Sequence, residues 1–156
     1  MTQITATINS AAILAKVGML VSFVARTAKE EGDNIYDSVR ITEQDEPQLE
    51  HFIEEAKENI VAEYAGISGV NTSGNITFTL PDEWLEEHED TIGQECVNFI
   101  VNYCCRCWFN LRYPPKVEEY QNKGALNIQK LNDLLYSRKA PGEQDGTEMP
   151  DFIRLH

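Results

Sequence analysis

The chain has 156 residues, a length that favours one domain with one core. Thirteen basic residues stand against 26 acidic ones, a net charge of −13. That balance argues against general nucleic-acid binding by phosphate neutralisation; it serves either solubility alone or a surface that repels DNA. No basic segment precedes an apolar run at the N-terminus, Lys16 interrupts the first apolar stretch, and no run reaches the roughly 18 apolar residues of a membrane helix. The four cysteines, Cys96, Cys104, Cys105 and Cys107, crowd one stretch instead of spreading over loops, which points away from a disulfide framework and toward a reducing compartment. The expectation is a soluble, intracellularly made protein without signal peptide or membrane span.

In chain order, residues 1–9 alternate Ile4, Ala6 and Ile8 with polar residues, a short strand or extended arm. Asn9 or Ser10 caps a helix over 11–30, with Ile13, Leu14, Val17, Leu20, Val21, Val24 and Ala28 on one face. Gly32 and Asp33-Asn34 end it. Residues 33–45 form a connector anchored by Ile35, Tyr36, Val39 and Ile41. The spacing of Leu49, Phe52, Ile53, Ala56, Ile60, Val61 and Tyr64 predicts a helix over 46–65. Its outer face is expected to carry Glu50, Glu54, Glu55, Lys57, Glu58 and Glu63, and Gly66 to cap its end. Turn residues fill 66–75. Residues 75–80 alternate as a strand, which needs a partner for its backbone: the 1–9 segment or a neighbouring chain. Ile76, Phe78 and Leu80 are therefore candidate inter-subunit strand residues.

The stretch from Pro81 to Tyr113 organises the rest. Ile92, Cys96, Phe99, Ile100, Tyr103, Cys104, Cys107, Trp108 and Leu111 recur at helical spacing, and Val97, Val101, Cys105 and Phe109 add a second row. An apolar surface this wide predicts a central core helix on the order of 45 Å long. Pro114-Pro115 stops it. A last helix over 116–138 bears Val117, Tyr120, Ala125, Ile128, Leu131, Leu134 and Leu135, with Gly124 marking a kink or close packing. Residues 142–156 have no period and form a tail. The fold class is thus mainly α: a bundle of about four helices around a long central apolar helix, with a short β-prone segment or hairpin. Domain limits are 1–141 and an extended tail, 142–156. The tail ends on Met149, Phe152, Ile153 and Leu155, a candidate partner-binding motif that either docks on a partner or folds back on its own core.

Chemistry is harder to find. All four cysteines lie on one helix, with Cys105 turned away from Cys104 and no second Cys/His pair to close a tetrahedral site. Cys104-Cys105-Arg106-Cys107 is not a redox pair at a helix N-terminus. Buried small apolar side chains are the better reading. His51 and His88 sit on acidic helix faces and His156 is terminal. Glu86, Glu87, Glu89 and Asp90 read as a solvated face, not as the opposed Glu-x-x-His pairs of a di-metal bundle. No Gly-rich phosphate loop occurs. No catalytic, cofactor or metal residue is expected.

The order of elements resembles the head–tail connector (adaptor) proteins of tailed bacteriophages, those of gut Bacteroides-type phages above all. The likeness spans about residues 10–141. It rests on Ile41-Thr42-Glu43-Gln44-Asp45 leading into Leu49-Glu50-His51-Phe52-Ile53-Glu54-Glu55-Ala56, on Phe78-Thr79-Leu80-Pro81 before the apolar helix, and on Leu134-Leu135-Tyr136-Ser137-Arg138-Lys139-Ala140-Pro141. The resemblance implies a structural, non-enzymatic virion protein made in the host cytoplasm. Its copies form a ring, typically of twelve, that joins the portal to the tail or stopper proteins. The ring lines the channel through which DNA is packaged and ejected without specific binding, and it has no membrane role. The Gly-containing first helix and the 75–80 strand are elaborations on a plain helical connector. The rival expectations are a small intracellular helical regulator that binds proteins as a monomer or dimer, and an enzyme with a carboxylate site, which would co-purify with a metal.

Overall fold

A computed structural model describes residues 1–30 and 36–139. The elements are β1 (Thr2–Ala6), α1 (Ser10–Glu30), a short α2 (Tyr36–Val39), α3 (Glu46–Glu63), β2 (Ser68–Val70), β3 (Ile76–Leu80), α4 (Glu89–Arg112) and α5 (Val117–Leu135). Four long helices and a small antiparallel sheet make the fold mainly α, a bundle around α4. The tail motif of Met149, Phe152, Ile153 and Leu155, and Ile35 and Gly32 of the first connector, lie outside the described residues.

The strand order is β1-β3-β2. Ile4 pairs with Phe78 and Ala6 with Ile76, which puts all four side chains on one buried face. Of the two partners open to residues 75–80, the chain's own N-terminal segment is the one found. β2 fills the other edge, Ser68 opposite Phe78 and Val70 opposite Ile76. β3 is thus flanked on both sides from Ile76 to Phe78 and paired with β1 through Leu80, and the inter-subunit role expected for Ile76, Phe78 and Leu80 is corrected: they are core residues of a central strand. A Cβ placed on Gly93 would stand 3.9 Å from the Ala6 Cα, so the sheet rests directly on the start of α4.

The caps follow the local chemistry. Asn9 Oδ1 accepts the Ala12 N–H at 3.1 Å and opens α1. Asp45 Oδ2 accepts the Thr42 N–H at 2.8 Å ahead of Pro47 in the first turn of α3. Gly66 takes φ +91°, which ends α3 in a conformation that suits glycine. α4 departs from expectation at its start. Residues 81–88 are turn and 3₁₀ backbone, so the helix runs 24 residues from Glu89, about 36 Å. Trp84, expected on the helix, is instead buried in that turn and donates Nε1–H to the Leu134 carbonyl at 2.8 Å. The turn thereby clamps the end of α5, and the Lys139 N–H reaches the Glu83 carbonyl at 2.6 Å.

α3, α4 and α5 bury the expected rows: Leu49, Ile53 and Ile60; Ile92, Cys96, Ile100, Cys104 and Trp108; and Tyr120, Leu131 and Leu135. Leu111, Lys57 and Ala125 differ. Leu111, counted in the α4 row, is exposed. Lys57, expected on the outer face, is only 4 % exposed, its ammonium 3.0 Å from Glu54 Oε1. Ala125 is exposed, and the buried place on its helix goes to Asn127. Gly124, expected at a kink or a close approach, marks neither: α5 runs unbroken through it, and a Cβ there would meet the Phe99 ring at an ordinary 3.8 Å.

Candidate interaction surface

Two surfaces and one buried polar relay stand out. The relay joins α4 to α5. Asn127 Nδ2 donates to Glu95 Oε2 at 2.8 Å, and Asn102 Nδ2 donates to Asn127 Oδ1 at 2.8 Å. Glu95 is 9 % exposed, a carboxyl held inside the helix pair with an amide as its hydrogen-bond partner. Below it Tyr64 O–H donates to Asn132 Oδ1 at 2.8 Å, and its ring packs edge-on against Phe78 at 6.0 Å. Burial pushes the Tyr64 phenol well up. None of these groups converges on a cavity; they fix which turn of α5 faces which turn of α4.

The first surface is a groove between α4 and α5, lined by Phe99, Tyr103, Arg106, Tyr120, Gly124 and Ile128. Gly124 makes its floor. The Arg106 guanidinium lies over the Tyr103 ring at 4.9 Å, and Tyr103 O–H donates to Glu55 Oε2 at 3.2 Å. Burial pushes the Tyr103 and Tyr120 phenols to about 12, so both stay neutral donors at ordinary pH.

The second surface is the outside of α1. Its inner row of Ile13, Val17, Val21 and Ala25 is buried, while Met19 and Phe23 stand 61 % and 63 % exposed on the other side. Lys16 breaks the apolar run in the sequence. By length and composition Ser10–Lys29 nonetheless suffices to cross a membrane, and 33 % of its apolar window is buried in the fold.

The sequence candidates for chemistry fall apart in space. Cys96, Cys104 and Cys105 are buried and Cys107 half-buried, all as free thiols. Desolvation pushes Cys96 and Cys105 up to about 12 and raises Cys104 and Cys107 as well, which opposes formation of the nucleophilic thiolate. Among the described residues no three His, Cys, Asp or Glu side chains are placed to hold a metal ion. His51 Nε2 stands 2.9 Å from Glu55 Oε1 on the exposed side of α3, and His88 packs its ring near Trp84 at 6.5 Å. Glu86, Glu87, Glu89 and Asp90 are exposed around the start of α4. Glu95, Asn102 and Asn127 escaped the sequence reading because a polar residue inside an apolar row looks like a break in the row. Comparison with protein-family models, with curated proteins and with solved structures finds no match to this chain.

Proposed function

We propose that the chain is a structural subunit of a phage head–tail connector, a ring that joins the portal to the tail or stopper proteins and surrounds the passing DNA. The observation that carries this reading is α1. A chain of net charge −13 presents a helix with Met19 and Phe23 uncovered, a face suited to another protein surface and not to water. The acidic surplus suits a channel wall, because like charge keeps a polyanion sliding instead of sticking. Residues 142–156 are the segment proposed to reach the portal.

The α4–α5 groove supports a second reading, a protein-binding regulator acting as a monomer or dimer. An aromatic wall with Arg106 at its mouth is the composition of a peptide-binding cleft. Mass separates the two. Light scattering across a concentration series, with negative-stain images of the chain alone and mixed with a portal protein, is expected to give rings on the portal. A monomer or dimer that ignores the portal in every mixture selects the regulator.

A further inference from the structure

The charge on α1 runs against that of the chain. It holds Lys16, Arg26 and Lys29 against one acidic residue, the terminal Glu30, a net charge of +2, so the rest of the chain carries fifteen net negative charges. Its outer row, Ala12, Ala15, Met19 and Phe23, is exposed, and a Cβ on Gly18 would meet nothing within 4 Å. This row is smooth, apolar and flanked by cations. On α3, Glu46, Glu50, Glu54 and Glu58 are all exposed and stand four residues apart, an acidic stripe about 18 Å long that winds about 120° around the helix, with Glu54 already 3.0 Å from the Lys57 ammonium.

We propose that the outer face of α1 is the self-association surface of this protein, seated on the α3 glutamate row of a second copy. The inference rests on the ring reading for the fact of assembly and names the contact that makes it. Two α1 faces opposed to each other would set cation against cation, whereas α1 on α3 sets Lys16 and Arg26 against glutamates. A second copy of the chain offers the acidic stripe of α3 to the basic side chains of α1. Size fixes the strength. A 21-residue helix about 31 Å long and about 10 Å wide covers about 300 Å², against about 800 Å² per partner in a stable pair. One such contact is weak. Closure, with each copy giving one contact and receiving another, makes assembly cooperative and dependent on concentration.

The test follows the mass of the full chain by sedimentation velocity over a wide concentration range, alone and with portal protein. Four forms are compared: the native sequence, Met19→Asp with Phe23→Asp, Lys16→Glu with Arg26→Glu, and the last pair combined with Glu50→Lys and Glu58→Lys. These side chains are exposed, so melting curves are expected to coincide. The native chain should assemble, the aspartate pair should stay monomeric, and the basic-to-acidic pair should shift the midpoint upward by about tenfold or more. The combined reversal should return it toward the native value, which a mere loss of solubility or fold cannot do. A ring that survives the aspartate pair overturns this interface and leaves the connector reading standing. A dimer that needs Phe23 and is restored by the combined charge reversal upholds the interface and overturns the ring, whereas one that the reversal does not restore overturns the interface. A chain that stays monomeric throughout, alone and with portal, overturns both. Flotation of the native chain, but not the aspartate pair, with phosphatidylcholine–phosphatidylserine vesicles gives α1 to lipid and overturns the proposal.

Discussion

Burial decides the behaviour of the single residues that look most reactive. Cys96 and Cys105 are enclosed by apolar neighbours, and desolvation lifts their thiols from 9.0 to about 12. Native-state alkylation read by mass spectrometry is therefore expected to mark Cys107 first, since it alone is half-exposed, with Cys96, Cys104 and Cys105 reacting only after unfolding. Labelling of Cys96 at the rate of a free peptide would contradict the burial. The same shift has a pH consequence. A thiol whose pKa is raised by folding contributes stability that is complete below pH 9 and is lost as pH climbs toward about 12. Melting temperature is expected to fall across that window, and less steeply in Cys105→Ala. Trp108 makes the complementary case. Its Nε1–H donates to the Val39 carbonyl at 2.6 Å, and its ring carries the Arg112 guanidinium 3.5 Å from the centroid. Trp108→Phe keeps most of the volume but strands a buried carbonyl, so urea unfolding should read a loss of about 1–3 kcal/mol.

At the scale of the elements, the α4–α5 pairing depends on the Asn102–Asn127–Glu95 relay as much as on apolar fit. Asn127→Ala removes the middle of the chain and leaves the buried Glu95 carboxyl without its hydrogen-bond partner, a cost of about 1–3 kcal/mol in denaturant unfolding. Replacing all three by leucine or methionine should recover most of that loss, because no polar group is then stranded. If the triple replacement is worse than Asn127→Ala, the relay is not the reason. Gly124→Ala should stabilise α5 by about 1 kcal/mol, since the added methyl meets Phe99 at an ordinary 3.8 Å. The sequence made the long helices legible because each carries an apolar row several turns long. It left β2 illegible, since three residues, Ser68-Gly69-Val70, are too few to alternate. It misjudged Lys57 because a long aliphatic stem can lie inside while the sequence registers only the charge. It left two partners open for residues 75–80, the 1–9 segment and a neighbouring chain, because strand pairing is decided by contacts some seventy residues apart, as between Ile4 and Phe78. Met19 and Phe23 fall off the row that Ile13, Val17 and Val21 mark, and only the fold shows that no other element covers them among the described residues.

For the whole molecule the connector proposal turns on where the acid would face DNA. Exposed carboxylates gather on α3 and around the start of α4, where Glu86, Glu87, Glu89 and Asp90 follow one another with only His88 between. The proposed role requires that this surface repel DNA and that the repulsion come from these side chains and not merely from net charge. Native chain is therefore expected to leave duplex DNA unretarded in a gel shift at about 0.1 M salt. Substituting lysine for those four carboxylates removes four negative charges and adds four positive ones, which moves a chain of −13 to −5. A chain still acidic overall binds DNA only if the local patch governs the encounter, because beyond about 10 Å the other charges are screened at 0.1 M salt. Binding by this variant, weakening with salt at a slope of about −0.9 for each phosphate neutralised, would place the wall of the channel at the start of α4. Genome delivery by particles carrying the variant should then slow while ring assembly, proposed to use α1 and α3, stays intact. If the variant neither binds DNA nor hinders delivery, that patch is solvated surface, and the charge serves solubility.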